Sequence, residues 1–409
     1  MILWALSMSE QPTLPTRPRR ILIVIGVLWR GGGAEKVAAT LGNELTERGH
    51  EVHLLTFYED TNKYPYDGIY HTLNESPKRS RLQKVWGIPR RIWRIARYIR
   101  QHQIEHCYSF MVEADTYTLL ASKLVHRRVP VVTSVRLNPL SFSLPIQWLI
   151  KHLYPQADKV VAPTRALQEI LETYLHLTNV TTIYNPIDTA DTATRAALPL
   201  LSEHQWLTAA SPLFVHIGRH IHQKGQWAIL RAFAQVRTIQ PTAQLVMLGD
   251  GSDTPKLQQL IERLELADAV HLLGKQSNVL PYLKAADVAV AASLWEGMPN
   301  ALLEALSVGT PIISTDCLTG PREILAPELA PSEPITYPYH TPVGTLIAQL
   351  APEPLYATLA EHPLTPTEVQ LAEHMLAALT TPYDSTAFTT RAADFAVERV
   401  VDAWEGLIL

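Results

Sequence analysis

Residues 21–28, ILIVIGVL, form an unbroken apolar run of strand length that leads into Gly31-Gly32-Gly33. A strand with one wet face alternates polar and apolar residues. A run without alternation has to be covered on both faces, as in a parallel sheet flanked by helices. From Ala34 the spacing becomes helical, with Val37, Ala38, Leu41 and Leu45 on one side and Gly49 at the end, and a second strand is expected at 51–58. The same series restarts at 213–218, LFVHIG, followed by a helix at 226–239, a strand at 244–248 and Gly249-Asp250-Gly251. Other strands are expected near 104–110, 129–135, 159–162 and 181–184, and at 270–273 and 288–291. Repeated strand-helix alternation in both halves predicts an α/β protein with two Rossmann-like, doubly wound units.

The length agrees, since 409 residues exceed the roughly 250–300 that one core supports. The expected organisation is a flexible lead at 1–18, a first domain at 19–188, a connection at 189–212 where strand patterning fades, a second domain at 213–385, and a C-terminal helix within 386–409, near 390–406. The Pro-containing stretch 326–385 has no clear period.

No run approaches the roughly 20 apolar residues of a membrane span. The first residues, MILWALSMSE, carry a short apolar patch but no basic leader and no cleavage site, so no secretory signal is expected. Cys107 and Cys317 lie in different expected domains, which suggests neither a disulfide framework nor a zinc site and favours a reducing cytoplasm. The net charge of −4 is unevenly spread: residues 1–200 hold 24 Lys+Arg against 17 Asp+Glu, and residues 201–409 hold 11 against 22. The first half is therefore expected to meet something anionic.

The chemistry concentrates at 293–313, SLWEGMPNALLEALSVGTPII. Gly297 and Pro299 turn the chain after Glu296, and a helix follows from about Asn300 with Leu302, Leu303 and Leu306 as its apolar side. Gly309 suits a left-handed helix end, and Pro311 stops the helix before the next strand. Unpaired N–H groups at a helix start favour an anion such as phosphate. Carboxylates suit hydroxyl groups, each accepting two protons. Glu296 before the helix and Glu304 within it thus fit a sugar attached to a phosphate.

EGMPNALLEALSVGTPIIST resembles the Glu-x7-Glu donor site of the retaining, group 1 glycosyltransferases of family four, which have the GT-B fold of two Rossmann-like domains facing across a cleft. The resemblance implies that Glu304 holds the ribose hydroxyls and Glu296 the donor sugar, with Gly297, Met298, Pro299 and Asn300 lining the donor. In IGRHIHQKG it implies that Gly218 lets the donor approach, while Arg219 and Lys224 neutralise the departing nucleoside diphosphate. Gly249 and Gly251 would admit the nucleotide. Gly31-Gly32-Gly33-Ala34-Glu35, which alone fits a tight turn equally well, resembles the family's Gly-Gly-Ala-Glu loop; Gly32 and Gly33 would approach the diphosphate and Glu35 would face the acceptor. Many members carry a histidine where VVTSVRLNP places Arg136 on the acceptor side. Arginine cannot act as a base at neutral pH, so Arg136 would position or neutralise. No cofactor or metal is expected, and in the family a C-terminal helix crosses back to the first domain.

Residues 78–103 contain nine Lys or Arg, no acids, and Trp86, Trp93 and Tyr98. After Pro89 the stripe Ile92, Ile95, Ala96 and Ile99 predicts an amphipathic helix with Arg90, Arg91, Arg94, Arg97 and Arg100 mostly on its polar side. It packs on the sheet with a solvated face, or meets anionic lipid or a pyrophosphate-linked acceptor; nucleic acid is disfavoured. The expected function is cytoplasmic transfer of a hexose or N-acetylhexosamine, with retention, from a UDP-linked donor to a surface-polysaccharide or lipid-linked saccharide. The rivals are a phosphorylase or sugar-nucleotide epimerase of the same fold, and a catalytically silent nucleotide- or membrane-binding protein.

Overall fold

The computed structural model describes residues 17–75 and 81–408. The chain divides into two compact units. The first holds Met1–Ala162, Leu171–Ile183 and Glu398–Leu409, and the second Pro163–Ile170 and Tyr184–Val397. In chain order the elements up to the end of the first sheet are β1 (Arg20–Ile25), α1 (Gly33–Glu47), β2 (Glu51–Thr56), β3 (Ile69–Thr72), α2 (Arg81–Gln101), β4 (His106–Phe110), α3 (Val112–Ser122), β5 (Val131–Ser134), α4 (Leu144–Leu153), β6 (Lys159–Ala162), α5 (Arg165–Leu175) and β7 (Val180–Thr182).

The first sheet has the order β3-β2-β1-β4-β5-β6-β7 with every strand parallel. Ile21 to Ile25 are at most 1% exposed, as the unalternated run requires. The chain steps outward from β1 to β3 and returns to β4 on the other flank of β1. The order therefore reverses between β1 and β4, where parallel sheets open a crevice at their carboxyl ends.

The remaining elements are α6 (Thr189–Ala196), β8 (Leu213–Ile217), α7 (Gln226–Ile239), β9 (Gln244–Leu248), α8 (Thr254–Arg263), β10 (Val270–Gly274), α9 (Leu280–Ala285), β11 (Val288–Ala291), α10 (Asn300–Val308), β12 (Ile312–Thr315), α11 (Pro321–Leu325), β13 (Tyr339–Thr341), β14 (Gly344–Ile347), α12 (Pro366–Ala378), α13 (Ser385–Ala393) and α14 (Val397–Glu405). The second sheet runs β10-β9-β8-β11-β12-β14-β13, parallel except for the β13–β14 pair, and it reverses between β8 and β11. Both sheets bear out the doubly wound reading.

Three stretches differ from the sequence expectation. Residues 189–212 form α6 and a 3-10 helix at Ser202–Ala209, not an open connection; Ala196, Leu200 and Leu207 are buried in the core of the second unit. Their apolar residues are too widely spaced to show a strand period, yet each finds a packing partner there. The C-terminal segment is two helices, α13 in the second unit and α14 largely in the first. Residues 326–385 supply the β13–β14 ribbon and α12. In α14, Trp404 is fully buried, its carbonyl accepts from Tyr108 Oη at 2.7 Å, and Glu405 accepts from Arg48 at 2.7 Å.

Helix α2 is continuous from Arg81 with Pro89 inside it. Ile95, Ala96 and Ile99 are buried as the stripe predicts, but Arg91 is also buried, contrary to its expected place on the polar side. Its guanidinium donates to Glu75 Oε2 at 2.5 Å and to Glu113, and stacks 4.5 Å over the Phe57 ring. Two carboxylates and an aromatic face offset the desolvation of its charge. Lys78 and Arg79 lie outside the described residues.

The core of the second unit includes a second buried ion pair. Arg231 on α7 is 0% exposed and donates to Glu368 Oε1 at 2.8 Å, while Glu368 closes a capping box with Thr365 at the start of α12. Removing one partner leaves an uncompensated buried charge. Glu368→Ala is expected to lower the unfolding free energy by about 3–5 kcal/mol in urea titrations. A loss below about 1 kcal/mol, the range of an exposed pair, would contradict this account of the pair.

Candidate active site

The carboxyl edge of the second sheet is organised by backbone contact. Gly225 lies at φ 60°, and a side chain there would overlap the Ala292 carbonyl; Gly249 lies at φ 146°, where a side chain would overlap the Gly218 carbonyl. Only glycine permits both the conformation and the approach. The loops after β8, β9 and β11 are therefore pressed together at the point of strand-order reversal. Leu294 N–H donates to the Gln223 carbonyl at 2.8 Å and Gln223 Nε2 to the Trp295 carbonyl at 2.7 Å, tying the loop after β8 to the one after β11.

This clamp brings Lys224 Nζ to 2.5 Å from Glu296 Oε1, which also accepts from Ser293 Oγ at 2.7 Å. Thr319 Oγ1 donates to the Glu296 carbonyl. Glu296 is buried, so its charge is held by fixed donors instead of water. Three residues on, α10 begins. Pro299 occupies its N-cap position with no side-chain cap, and although Leu302 N–H donates to the Pro299 carbonyl at 3.0 Å, the positive end of the helix dipole favours an anion there. Gly309 ends the helix at φ 80°, and Leu302, Leu303, Ala305 and Leu306 are its buried side, as the sequence indicates.

Asn300 Oδ1 accepts from Asn185 Nδ2 at 2.7 Å, and Asn185 N–H reaches Met298 Sδ at 3.2 Å. Glu304 is half-buried one turn above Asn300. Arg219 is exposed, and its carbonyl accepts from Gln226 Nε2 at 2.8 Å. Gly251 N–H donates to Asp250 Oδ1 at 2.7 Å in the turn before α8. The second unit thus gathers Lys224, Glu296 and Pro299 around one small concavity, with Gly218 beside Lys224 and with Arg219, Gly249, Gly251, Gly297 and Glu304 on the segments that frame it.

In the first unit, Gly32 is the N-cap residue of α1 and Gly33 its first residue. A side chain on Gly32 would overlap the Glu35 carboxylate, which therefore folds back over the helix start, where a negative charge is favoured. Arg136 is buried two residues after β5, its guanidinium 4.9 Å from the Phe110 ring centre and 5.9 Å from that of Trp404. Burial lowers its pKa to about 9, while Asp115 acts in the opposite direction. Burial likewise pushes the Asp115 carboxyl up, although Tyr154 Oη donates to it at 2.7 Å.

Two family descriptions match the chain. Residues 31–191 match "Glycosyltransferase Family 4", and residues 205–330 match "Glycosyl transferases group 1". The chain is 32% identical over 406 residues to MJ1059 of Methanocaldococcus jannaschii, an uncharacterized glycosyltransferase, covering 95% of this chain and 98% of the relative. The chain belongs to the group 1 glycosyltransferases. Another relative is 25% identical over 302 residues, spanning 72% of this chain and 80% of its own: the N-acetylgalactosamine-N,N'-diacetylbacillosaminyl-diphospho-undecaprenol 4-alpha-N-acetylgalactosaminyltransferase of Campylobacter jejuni. Among solved structures, a glycosyltransferase from Rickettsia africae superposes with TM-score 0.72 at 15% identity over 96% of this chain and 98% of that one. HepE of Anabaena, crystallised with UDP, superposes with TM-score 0.62 at 19% identity over 92% and 98%. Both share the fold of this group 1 glycosyltransferase.

Sequence reasoning missed Ser293, Thr319 and Asn185 around Glu296 and Asn300, and it missed His216. On β8, His216 reads as one polar residue in an apolar strand. It is 1% exposed, lines the concavity beside Lys224 and Glu296, and places Nδ1 2.9 Å from the Val290 carbonyl. Burial pushes its pKa down to about 3, and the Lys224 ammonium adds to the shift. Because the unfolded chain takes up this proton near pH 6.5 and the folded one does not, His216 removes stability as pH falls from about 6.5 toward 3. Stability of His216→Phe is expected to fall less steeply than that of the native protein over this range, as read from urea midpoints at stepped pH; parallel slopes would contradict it.

Proposed function

We propose that this chain transfers a hexose or N-acetylhexosamine from a UDP-linked donor to a surface-polysaccharide or lipid-linked saccharide, with retention of anomeric configuration and without a metal ion. The observation that carries the donor side is the meeting of Lys224 and Glu296 at the reversal point of the second sheet, beside the uncapped start of α10. The donor diphosphate would lie at that helix start and draw Lys224 and Arg219, which stabilise the charge of the leaving group. Glu296 would accept from the sugar hydroxyls and Glu304 from the ribose. Gly218, Gly249, Gly251 and the segment Gly297, Met298, Pro299 and Asn300 would let the backbone approach the donor.

In this reading the C1–phosphate bond breaks through an oxocarbenium-like state, and the acceptor oxygen bonds C1 on the same face. The acceptor proton passes to the departing phosphate oxygen, so no side chain need act as base. Gly32, Gly33 and Glu35 would serve the acceptor side, and Arg136 would act from within the first unit as a fixed positive charge. The UDP in HepE supports the nucleotide, and the undecaprenol-linked substrate named for the Campylobacter relative supports the acceptor class. Cytoplasmic placement fits such an acceptor and is supported by the two unpaired, buried cysteines.

A panel of UDP, GDP, ADP and their sugar conjugates, assayed by thermal shift in EDTA, tests the donor reading. At a hundredfold excess over its dissociation constant, the matching ligand adds about 2.7 kcal/mol of apparent stability. The UDP series is expected to shift the native protein, and Glu304→Ala to lose most of that shift while unfolding normally without ligand. An unchanged shift in Glu304→Ala would place the nucleotide elsewhere.

The acceptor class also gives a role to the exposed face of α2. Arg90, Trp93, Arg97 and Arg100 lie outward on it, with the Arg97 guanidinium 5.4 Å from the Trp93 ring centre, while Arg91 turns inward and Arg94 donates to the Leu73 carbonyl at 2.9 Å. Three arginines and a tryptophan on one stripe suit an anionic lipid surface, each cation adding about 1 kcal/mol. No described helix is long and apolar enough to cross a membrane. Co-sedimentation with vesicles containing phosphatidylglycerol is expected to fall by at least about tenfold in the Arg90→Ala, Arg97→Ala, Arg100→Ala variant. Equal co-sedimentation of variant and native protein would remove this contact.

A further inference from the structure

The proposed donor reading asks two groups that now satisfy each other to part. Lys224 and Glu296 form a part-buried 2.5 Å ion pair, yet the donor requires the carboxylate for hydroxyls and the ammonium for phosphate oxygens. An ammonium carries three N–H donors, and phosphate oxygens at a helix start engage it from one side. In a concavity shielded from water, the donors on the other side need a protein acceptor.

His216 supplies one. Its Nδ1 faces the Val290 carbonyl at 2.9 Å, and a carbonyl only accepts, so Nδ1 carries the ring proton and Nε2 is a bare lone pair. Nε2 is buried and has no hydrogen-bond partner among the described residues. Its surroundings place it beside Lys224: one point, the position of a Cβ on Gly218, lies 3.1 Å from Nε2 and 3.4 Å from both Cγ and Cδ of Lys224. The absence of a side chain at Gly218 is what lets the ring and the lysine stem converge. The bond to Val290 fixes the ring plane, and burial keeps the ring neutral, as an acceptor under an ammonium must be.

We infer that His216 is a positioning residue for Lys224, its Nε2 accepting an N–H of the ammonium and holding it against the donor's diphosphate once Glu296 has turned to the sugar. This rests on the donor reading proposed above. The other role open to His216 is that of a strut between β8 and β11 through Nδ1 alone, which a ring of similar size lacking a second acceptor would largely preserve in packing.

The two roles separate on the phosphate that Lys224 serves. Dissociation constants for UDP and UMP are measured by calorimetry on the native protein, His216→Phe and His216→Gln, with thermal unfolding as a check on folding. His216→Phe is expected to weaken UDP by about tenfold or more, the loss of one hydrogen bond to a charged group, and to leave UMP within about twofold. His216→Gln, which restores an acceptor oxygen, recovers most of the UDP affinity. In a Lys224→Met background, His216→Phe adds no further loss. A folded His216→Phe whose UDP-to-UMP ratio equals the native ratio overturns the inference. If His216→Phe does not fold, a folded His216→Leu whose UDP-to-UMP ratio equals the native ratio overturns it equally. Failure of the native protein to bind any nucleoside diphosphate would instead overturn the donor reading beneath it.

Discussion

The second unit depends on backbone-to-backbone contact at the carboxyl edge of its sheet. Gly225 against Ala292 and Gly249 against Gly218 leave no space for a Cβ, and this closeness sets three loops at one depth. Parallel strands deliver their carboxyl ends to one edge, and the reversal between β8 and β11 separates the helices that would otherwise cover it. Lys224 comes from one side of that gap and Glu296 from the other. The loops are held by contacts that do not involve the two charges, so the ion pair does not have to organise the site by itself. Its Coulomb energy can be exchanged for contacts to a ligand without the surrounding backbone coming apart.

Desolvation gives the pair its second property. In water a lysine and a glutamate at contact gain little over their separate hydration. Here Glu296 is buried, with Ser293 and the lysine as fixed donors, and removing either charge would strand the other. A ligand with an anionic end and a hydroxyl-bearing end can replace both partners at once, whereas a ligand with only one of them leaves a buried charge unmet. Under the proposed donor reading, selection for a sugar attached to a phosphate would follow from the low polarisability of the site as much as from the residues that line it. In that reading the dipole of α10 would add to the attraction at the phosphate end.

Buried arginines show the same rule in places without a ligand. Arg91 has Glu75, Glu113 and the Phe57 ring, Arg231 has Glu368, and Arg136 lies over Phe110 and Trp404 with Asp115 acting on it. Sequence pattern places Arg91 in a different setting and Arg231 in none. Arg91 fell on the polar side of a helical stripe because its neighbours in sequence are cationic, and the two acids that draw it inward come from 16 residues before it and 22 after. The α2 face that remains outward is correspondingly narrower, with Arg90, Trp93, Arg97 and Arg100.

Local pattern alone determined the doubly wound architecture, since unalternated apolar strands followed by amphipathic helices have few other ways to be covered. It also determined the turn before α10, the left-handed Gly309 and the placement of Glu296 and Glu304 on either side of a helix start, because these depend on neighbours within one or two turns. The helical course of 189–212 and the strands and helix within 326–385 were not legible, since their apolar residues acquire meaning only against distant partners. His216 was hidden for the same reason: its strand spacing says core, while its role depends on which groups stand beside its second nitrogen. Tertiary structure decided that Lys224 meets Glu296, that Arg91 is buried and that His216 faces Lys224. Such choices are made by burial and distance between residues far apart in the chain, and one-dimensional periodicity carries neither.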